Sequence, residues 1–352
     1  MSSSPWAGWT WAGALGLLCA GLLAACGPRP DPQLEITGAT MGTYYAVKVP
    51  RPPAGLDAET LKAGLDAVLD AVVAGLSTYE PDSQLSRLNA DPSTDWIPIS
   101  PALAAPLAEG LRLSALTEGA FDVTVGPLVN LWGFGPDPGG DHVPDAAAIA
   151  GALERVGYAK VSLREDPPAL RKARGDVHVD LSALGEGVGA DRMAAYLESL
   201  GIADYMAAVA GTLRVRGRNA HGRPWGIAIE EPSSERRAVQ RVLPVSDHAV
   251  STSGDYRNFF ETGGQRHSHH LDPRTGQTVA HRLASVTVVL PNAPDAAMRA
   301  DGLATALIVL GETDAPALAD RLGIAAYFIV REDDGFRELG SRAMDALMAP
   351  AP

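Results

Sequence analysis

Three stretches of this chain carry residue types and spacings that could do chemistry. VHVDLSALGEGVGAD, residues 177–191, passes from alternating apolar residues into glycines; Gly185, Gly187 and Ala190 fit G-x-G-x-x-A, the spacing of a dinucleotide fingerprint. ADGLATALIVLG, residues 300–311, places Asp301 and Thr305 four apart, so a helix there projects both from one face. A carboxylate and a hydroxyl are hard oxygen donors, the kind Mg2+ accepts while keeping some waters. HSHHLDPRTG, residues 267–276, offers three imidazoles and a turn-forming DPRTG.

Each stretch also has an ordinary structural reading. Glycines at a strand-to-helix corner let backbones approach closely. Asp301 alone reads as a solvated carboxylate, and Thr305 as a helix threonine bonding a carbonyl one turn back. On a strand, His267 and His269 share a face and His270 points away; two imidazoles without cysteine or carboxylate partners make a poor zinc site. The Rossmann reading lacks its acid: the next strand, YMAAVAG, ends in Ala210 and Gly211 rather than Asp or Glu. No GxxxxGK[ST] loop occurs, and TSGDYRN around Ser253 is not a GxSxG nucleophile elbow. Arg214, Arg216 and Arg218 alternate along one strand face and read as solvated.

The elements that must hold these stretches can be read from periodicity. LEITGATMGTYYAVKV predicts a hairpin centred on Gly42. Asp57 is placed to cap a helix whose Leu61, Leu65, Val68, Leu69, Val72 and Leu76 form one buried face. Further helices are expected over residues 101–117, 146–156, 187–200 and 295–310. Strands are expected at VHVDL, YMAAVAG, TLRVRGR, WGIAIEE, residues 239–244, 248–253 and 285–290, and AAYFIV. Strands come as neighbouring pairs rather than βαβ repeats, which predicts an α+β fold of largely antiparallel sheets with packed helices, two interlocked subdomains surrounding one site. Residues 135–145, GPDPGGDHVPD, read as a subdomain boundary or a surface excursion.

The N-terminal 25 residues are read apart from the fold. WAGALGLLCAGLLAA is an apolar run of signal-peptide length, short for a membrane span, although Met1 to Thr10 carries no Lys or Arg. It ends in LAAC, which resembles a bacterial lipobox with Cys26 as the acylated residue. An ordinary secretory signal or short anchor is the alternative. Several acyl chains at about 0.8 kcal/mol per buried CH₂ give lasting attachment. GPRPDPQ then tethers lipid to fold. With Cys19 and Cys26 the only cysteines, the mature chain has no disulfide and no thiolate chemistry, and its core must supply its stability. A net charge of −13 without a basic run excludes nucleic acid as an expected partner. An acidic protein that binds a phosphate ester needs local positive charge, for which a divalent cation is suited.

Six segments in order resemble the FAD:protein FMN transferase family (ApbE-type flavin transferases): GATMGTYY (38–45), LSTYEPDSQLSRLN (76–89), GAFDVTVGPLVNLWGFG (119–135), VDLSALGEGVGAD (179–191), VSTSGDYRNFFETGGQRHSHHLDPRTG (250–276) and ADGLATALIVLG (300–311). The resemblance implies transfer of FMN from FAD to a Thr or Ser hydroxyl of an acceptor redox-protein subunit, with Mg2+ and release of AMP. It implies metal ligation by Asp301, Thr305 and the carbonyl of Ala183, FAD contacts from Met41, Tyr79, Ala120, Phe121, Asp122, Asp180, Glu186 and Leu271, and His269 as proton acceptor beside a catalytic Asp301. It divides the chain into a signal peptide (1–25), a lipidated cysteine and tether (26–34) and a catalytic domain (35–348), facing the periplasm or cell exterior. Three departures stand out: Glu186 where many relatives carry lysine, Ala304 where some carry an acid, and Ala210 where most carry glycine. A hydrolase releasing FMN and AMP from FAD, or a non-catalytic FAD-binding lipoprotein, are the alternatives.

Overall fold

The computed structural model describes residues 33–136, 142–233 and 238–349, all within one compact unit. Its centre is an eight-stranded sheet in the spatial order Leu34–Thr40, Thr43–Val49, Tyr205–Val209, Thr212–Arg216, His248–Gly254, Leu283–Pro291, Ala325–Glu332, Gly335–Gly340. Every one of these pairings is antiparallel. The expected α+β architecture is the one observed. The first hairpin turns at Met41 and Gly42, both left-handed (φ 50° and 70°), which matches the right-handed twist of the flanking strands.

Three helices press on this sheet from the side that bears the site. Ala58–Leu76 starts at Asp57, whose carboxylate accepts from the Thr60 N–H at 2.7 Å, and buries Leu61, Leu65, Leu69, Val72 and Leu76. Ser182–Ser199 and Ala296–Leu322 pack against each other and carry most of the chemistry-bearing residues. The second of these is longer than the periodicity predicts. It runs past Gly311, a kink at φ 79° against which His281 packs.

Two expectations are corrected. VHVDL is not a strand: residues 177–181 join no ladder. They run through the core with Val177, Val179 and Leu181 buried. At the centre of this segment the Asn89 side chain takes the place of a neighbouring strand, donating to the Val179 carbonyl at 2.8 Å and accepting from its N–H at 2.7 Å. The glycines are not a loop either. The helix begins at Ser182, five residues before the expected start, so Gly185 and Gly187 lie in its first turns. Asp180 makes this early start workable by accepting from the Ser182 N–H at 2.8 Å.

The segment 135–145 falls partly outside the described residues, as do Cys26 and the whole of residues 1–32. The short strands Phe259–Thr262 and Gln265–Ser268 form a hairpin that periodicity did not single out.

Candidate functional site

The site is built where Ser182–Ser199 meets Ala296–Leu322 at the sheet. Asp301 is buried there. One of its oxygens, Oδ2, accepts from the Gly187 N–H at 2.9 Å; the other lies 3.2 Å from the Thr212 hydroxyl and 3.3 Å from that of Ser251. Thr212 and Ser251 sit opposite each other on adjacent strands, their hydroxyls 2.7 Å apart. One turn further along the helix, the Thr305 hydroxyl is 3.4 Å from that of Ser253. Glu186 accepts from the Gly211 N–H at 3.3 Å.

Burial pushes the Asp301 carboxyl well above the usual range, and the neighbouring Glu186 raises it further. Burial likewise pushes Glu186 up to about 7. Neither carboxylate has a Lys, Arg or His within ion-pair distance among the described residues. Two acidic groups that repel each other without a cation between them suit a hard divalent ion. Of the ligands the family resemblance implies, Asp301 and Thr305 lie one turn apart on Ala296–Leu322, and Ala183 lies in the first turn of Ser182–Ser199. Among the described residues no three acidic, histidine or cysteine side chains converge, so any cation held here relies on these mixed oxygen donors and on water.

The close approach of the two helices depends on Gly187. A Cβ there would lie 2.5 Å from the Ala297 carbonyl oxygen and 2.5 Å from Met298 Cα. Gly185, by contrast, faces open space. The glycine pair is therefore not equivalent: Gly187 admits a neighbouring helix, and Gly185 does not.

The histidine segment adjoins this cluster through Gly254. The His270 ring contacts the Gly254 carbonyl at 3.3 Å, next to Ser253, and its centroid lies 4.0 Å from that of His269. The Nδ1 of His269 bonds the Asn258 carbonyl at 3.0 Å. A carbonyl only accepts, so Nδ1 carries the proton and Nε2 keeps a lone pair. Burial holds the His269 pKa below the ordinary histidine value, so the ring is neutral near pH 7. His267 points elsewhere: it is buried against Trp132 and Phe260.

Aromatic residues lie next to the histidine segment. His269 meets the Phe134 ring edge-on at 6.4 Å, and the Phe134 carbonyl accepts from the Tyr79 hydroxyl at 3.2 Å. Tyr79 is 59% exposed, which leaves a ring face available to a flat ligand. Its hydroxyl is raised by burial at its tip and then by the negative charge of Asp180.

The other expected contacts are placed differently. Ala120, Phe121 and Leu271 are buried. Asp122 is buried and accepts from the Thr124 N–H and hydroxyl and the Tyr158 N–H at 2.6 to 2.8 Å, which commits most of its lone pairs to the turn. Met41 reaches the helix at Gly189. Asp272 is engaged within the DPRTG turn by Arg274. Ala304 is packed in the main hydrophobic core. Arg214 corrects the solvated reading: it is buried and paired with Asp191 at 3.3 Å. Sequence reasoning missed Thr212, Ser251, Phe134 and Asn89, since no local spacing announces which strands become neighbours.

The fold is shared with known proteins. Residues 41–328 match the ApbE family, and the chain belongs to it. It is 42% identical to an FAD:protein FMN transferase of Vibrio cholerae over 328 residues, covering 93% of this chain and 96% of the relative. It is 40% identical to the FAD:protein FMN transferase of Escherichia coli K12, covering 91% and 93%. The solved flavin transferase ApbE from Vibrio cholerae superposes with a TM-score of 0.83 at 41% identity, covering 90% of this chain and 99% of that one. The flavinyl transferase ApbE of Pseudomonas stutzeri in its apo form gives 0.82 at 41% identity, covering 92% and 98%.

Proposed function

We propose that this protein is an FAD:protein FMN transferase that uses Mg2+, transfers FMN from FAD to a Thr or Ser hydroxyl of an acceptor redox-protein subunit, and releases AMP. The observation that carries the reading is the raised carboxyl of buried Asp301 with Glu186 as its acidic neighbour, and a neutral His269 with a free Nε2 on the adjoining histidine segment. Family membership and the relatives' activity support it.

Asp301, Thr305 and the Ala183 carbonyl would hold the cation. Bound there, Mg2+ supplies charge compensation to the pyrophosphate and to the phosphorane-like transition state. The acceptor hydroxyl attacks the FMN-side phosphorus in line with the bridging oxygen. Its proton passes to His269 Nε2 as the new P–O bond forms, and the bond to the bridging oxygen breaks, leaving AMP. Asn258 holds His269 in the tautomer this requires. Tyr79 and Phe134 offer aromatic surface to the flavin or adenine, and exclude water from the reacting phosphate. Glu186 cannot neutralise phosphate as a lysine would, which places the charge compensation on the cation and on backbone N–H groups.

The protein acts outside the cytoplasm, held to a bacterial membrane through lipid on Cys26. That placement is supported by the LAAC cleavage signal and the tether after it.

The test is incubation with FAD, Mg2+ and an exported acceptor domain, followed by intact-mass analysis of the acceptor and assay of AMP. Stoichiometric FMN on the acceptor with AMP release is the expected result. AMP without a mass gain makes the protein a hydrolase, and FAD binding without AMP makes it a carrier.

A further inference from the structure

The helix Ala296–Leu322 lacks the usual cap. Asp295, the residue before it, is left-handed at φ 60° and its side chain makes no capping bond. Two of the first N–H groups are met by main chain: Ala296 reaches the Ala293 carbonyl and Arg299 the Asp295 carbonyl. The other two are met from a different helix. Asp191 accepts from the Ala297 N–H at 3.2 Å through Oδ1 and from the Met298 N–H at 2.9 Å through Oδ2. Asp191 is itself buried, and the Arg214 guanidinium stands 3.3 Å from Oδ1. Arg214 is held in turn by the Asn292 side chain at 3.2 Å and lies 3.6 Å from Glu198.

The two helices thus exchange carboxylates. Asp301 of one takes the Gly187 N–H of the other; Asp191, one turn beyond Gly187, takes two N–H groups one turn before Asp301. Between them lies the contact that Gly187 permits. We propose that Asp191, backed by Arg214, is a positioning residue that sets the spacing between the two halves of the cation site, Ala183 and Glu186 on one helix and Asp301 and Thr305 on the other. It touches neither cation nor substrate, and acts through the first turn of the Asp301 helix. The inference rests on the Mg2+ reading above.

Asp191→Asn keeps the side chain's shape but offers one acceptor oxygen where two N–H groups need one each, and turns an amide N–H toward the other. Calorimetric titration of the full chain with Mg2+ alone, without FAD, reads the effect. The expected result is a dissociation constant weakened about tenfold or more, the scale for disturbing groups behind a metal's ligands. In the flavin-transfer assay the Mg2+ concentration for half-maximal rate rises equally, and the rate at saturating Mg2+ recovers. If Asp191→Asn does not fold, Arg214→Gln, which keeps Asp191 but removes its counter-charge, carries the same expectation, and Arg214→Lys restores most of the affinity. Variants that melt lower yet bind Mg2+ with the wild-type constant would overturn the proposal. Wild-type protein that binds no Mg2+ would overturn the function reading together with this one, whereas wild-type binding beside unchanged variants overturns this one alone.

Discussion

Gly187→Ala and Gly185→Ala should behave in opposite ways although the residues are two positions apart in one helix. At Gly187 the added methyl would sit 2.5 Å from backbone atoms of Ala297 and Met298, where ordinary contact begins at 3.4 Å. Backbone cannot rotate aside, so the helices must part by about 0.9 Å at this level. Overpacking of this kind costs ~1–3 kcal/mol, against a gain of up to about 1 kcal/mol from replacing glycine in a helix. The Gly187 to Asp301 bond, 2.9 Å long, lengthens with the separation and the cation donors lose register. The expected outcome is a melting temperature lower by a few degrees, with Mg2+ affinity down about tenfold or more. At Gly185 the methyl meets nothing, so the same substitution should hold or raise the melting temperature. Loss of FAD affinity in that folded variant would report ligand occupying the open space. Scanning calorimetry and Mg2+ titration of both variants check this. A Gly187→Ala protein with wild-type melting temperature and wild-type Mg2+ constant would refute the close-packing argument.

Other outcomes follow from single features. Because Glu186 titrates at about 7 and Asp301 above the usual range, protons compete with the cation. Asp301 must lose its proton to bind the cation, and ionised Glu186 beside it adds attraction, so Mg2+ affinity should climb as pH rises through about 7, and calorimetry in buffers of different ionisation enthalpy should register proton release. Asn89→Ala orphans the buried N–H and carbonyl of Val179 and should destabilise the fold by about 2–4 kcal/mol, read by denaturant titration. Ala210 is left-handed at φ 44° at the turn between two central strands; Ala210→Gly should relieve about 1 kcal/mol of strain and raise the melting temperature. Cys26→Ser should move the protein from the membrane fraction to the soluble exported fraction, followed by immunoblot of fractionated cells.

Much of the site was legible along the chain. Asp301 and Thr305 share a helical face because a four-residue spacing is one turn, and the paired strands announced antiparallel sheet. Asp57 as a cap and the hairpin at Gly42 depend on contacts a few residues apart, so local pattern suffices. The strand reading of VHVDL failed for a physical reason: alternating apolar residues mark an extended, buried segment, but not whether its hydrogen bonds go to a strand or to a side chain such as Asn89, 90 residues away. Arg214 failed likewise. Its alternation with Arg216 was visible, while the Asp191 it pairs with comes from the helix Ser182–Ser199.

The sequence by itself determined which residue types stand at which spacing, and hence the helix face of Asp301 and Thr305 and the hairpin at Gly42. Only the tertiary structure decided that Gly187 is a packing residue and Gly185 an open one. It alone brought Glu186 beside Asp301, set Thr212 across from Ser251, and fixed the tautomer of His269. These depend on which helices and strands become neighbours, and that is settled by burial and backbone hydrogen bonding over the whole chain rather than by any local run of residues.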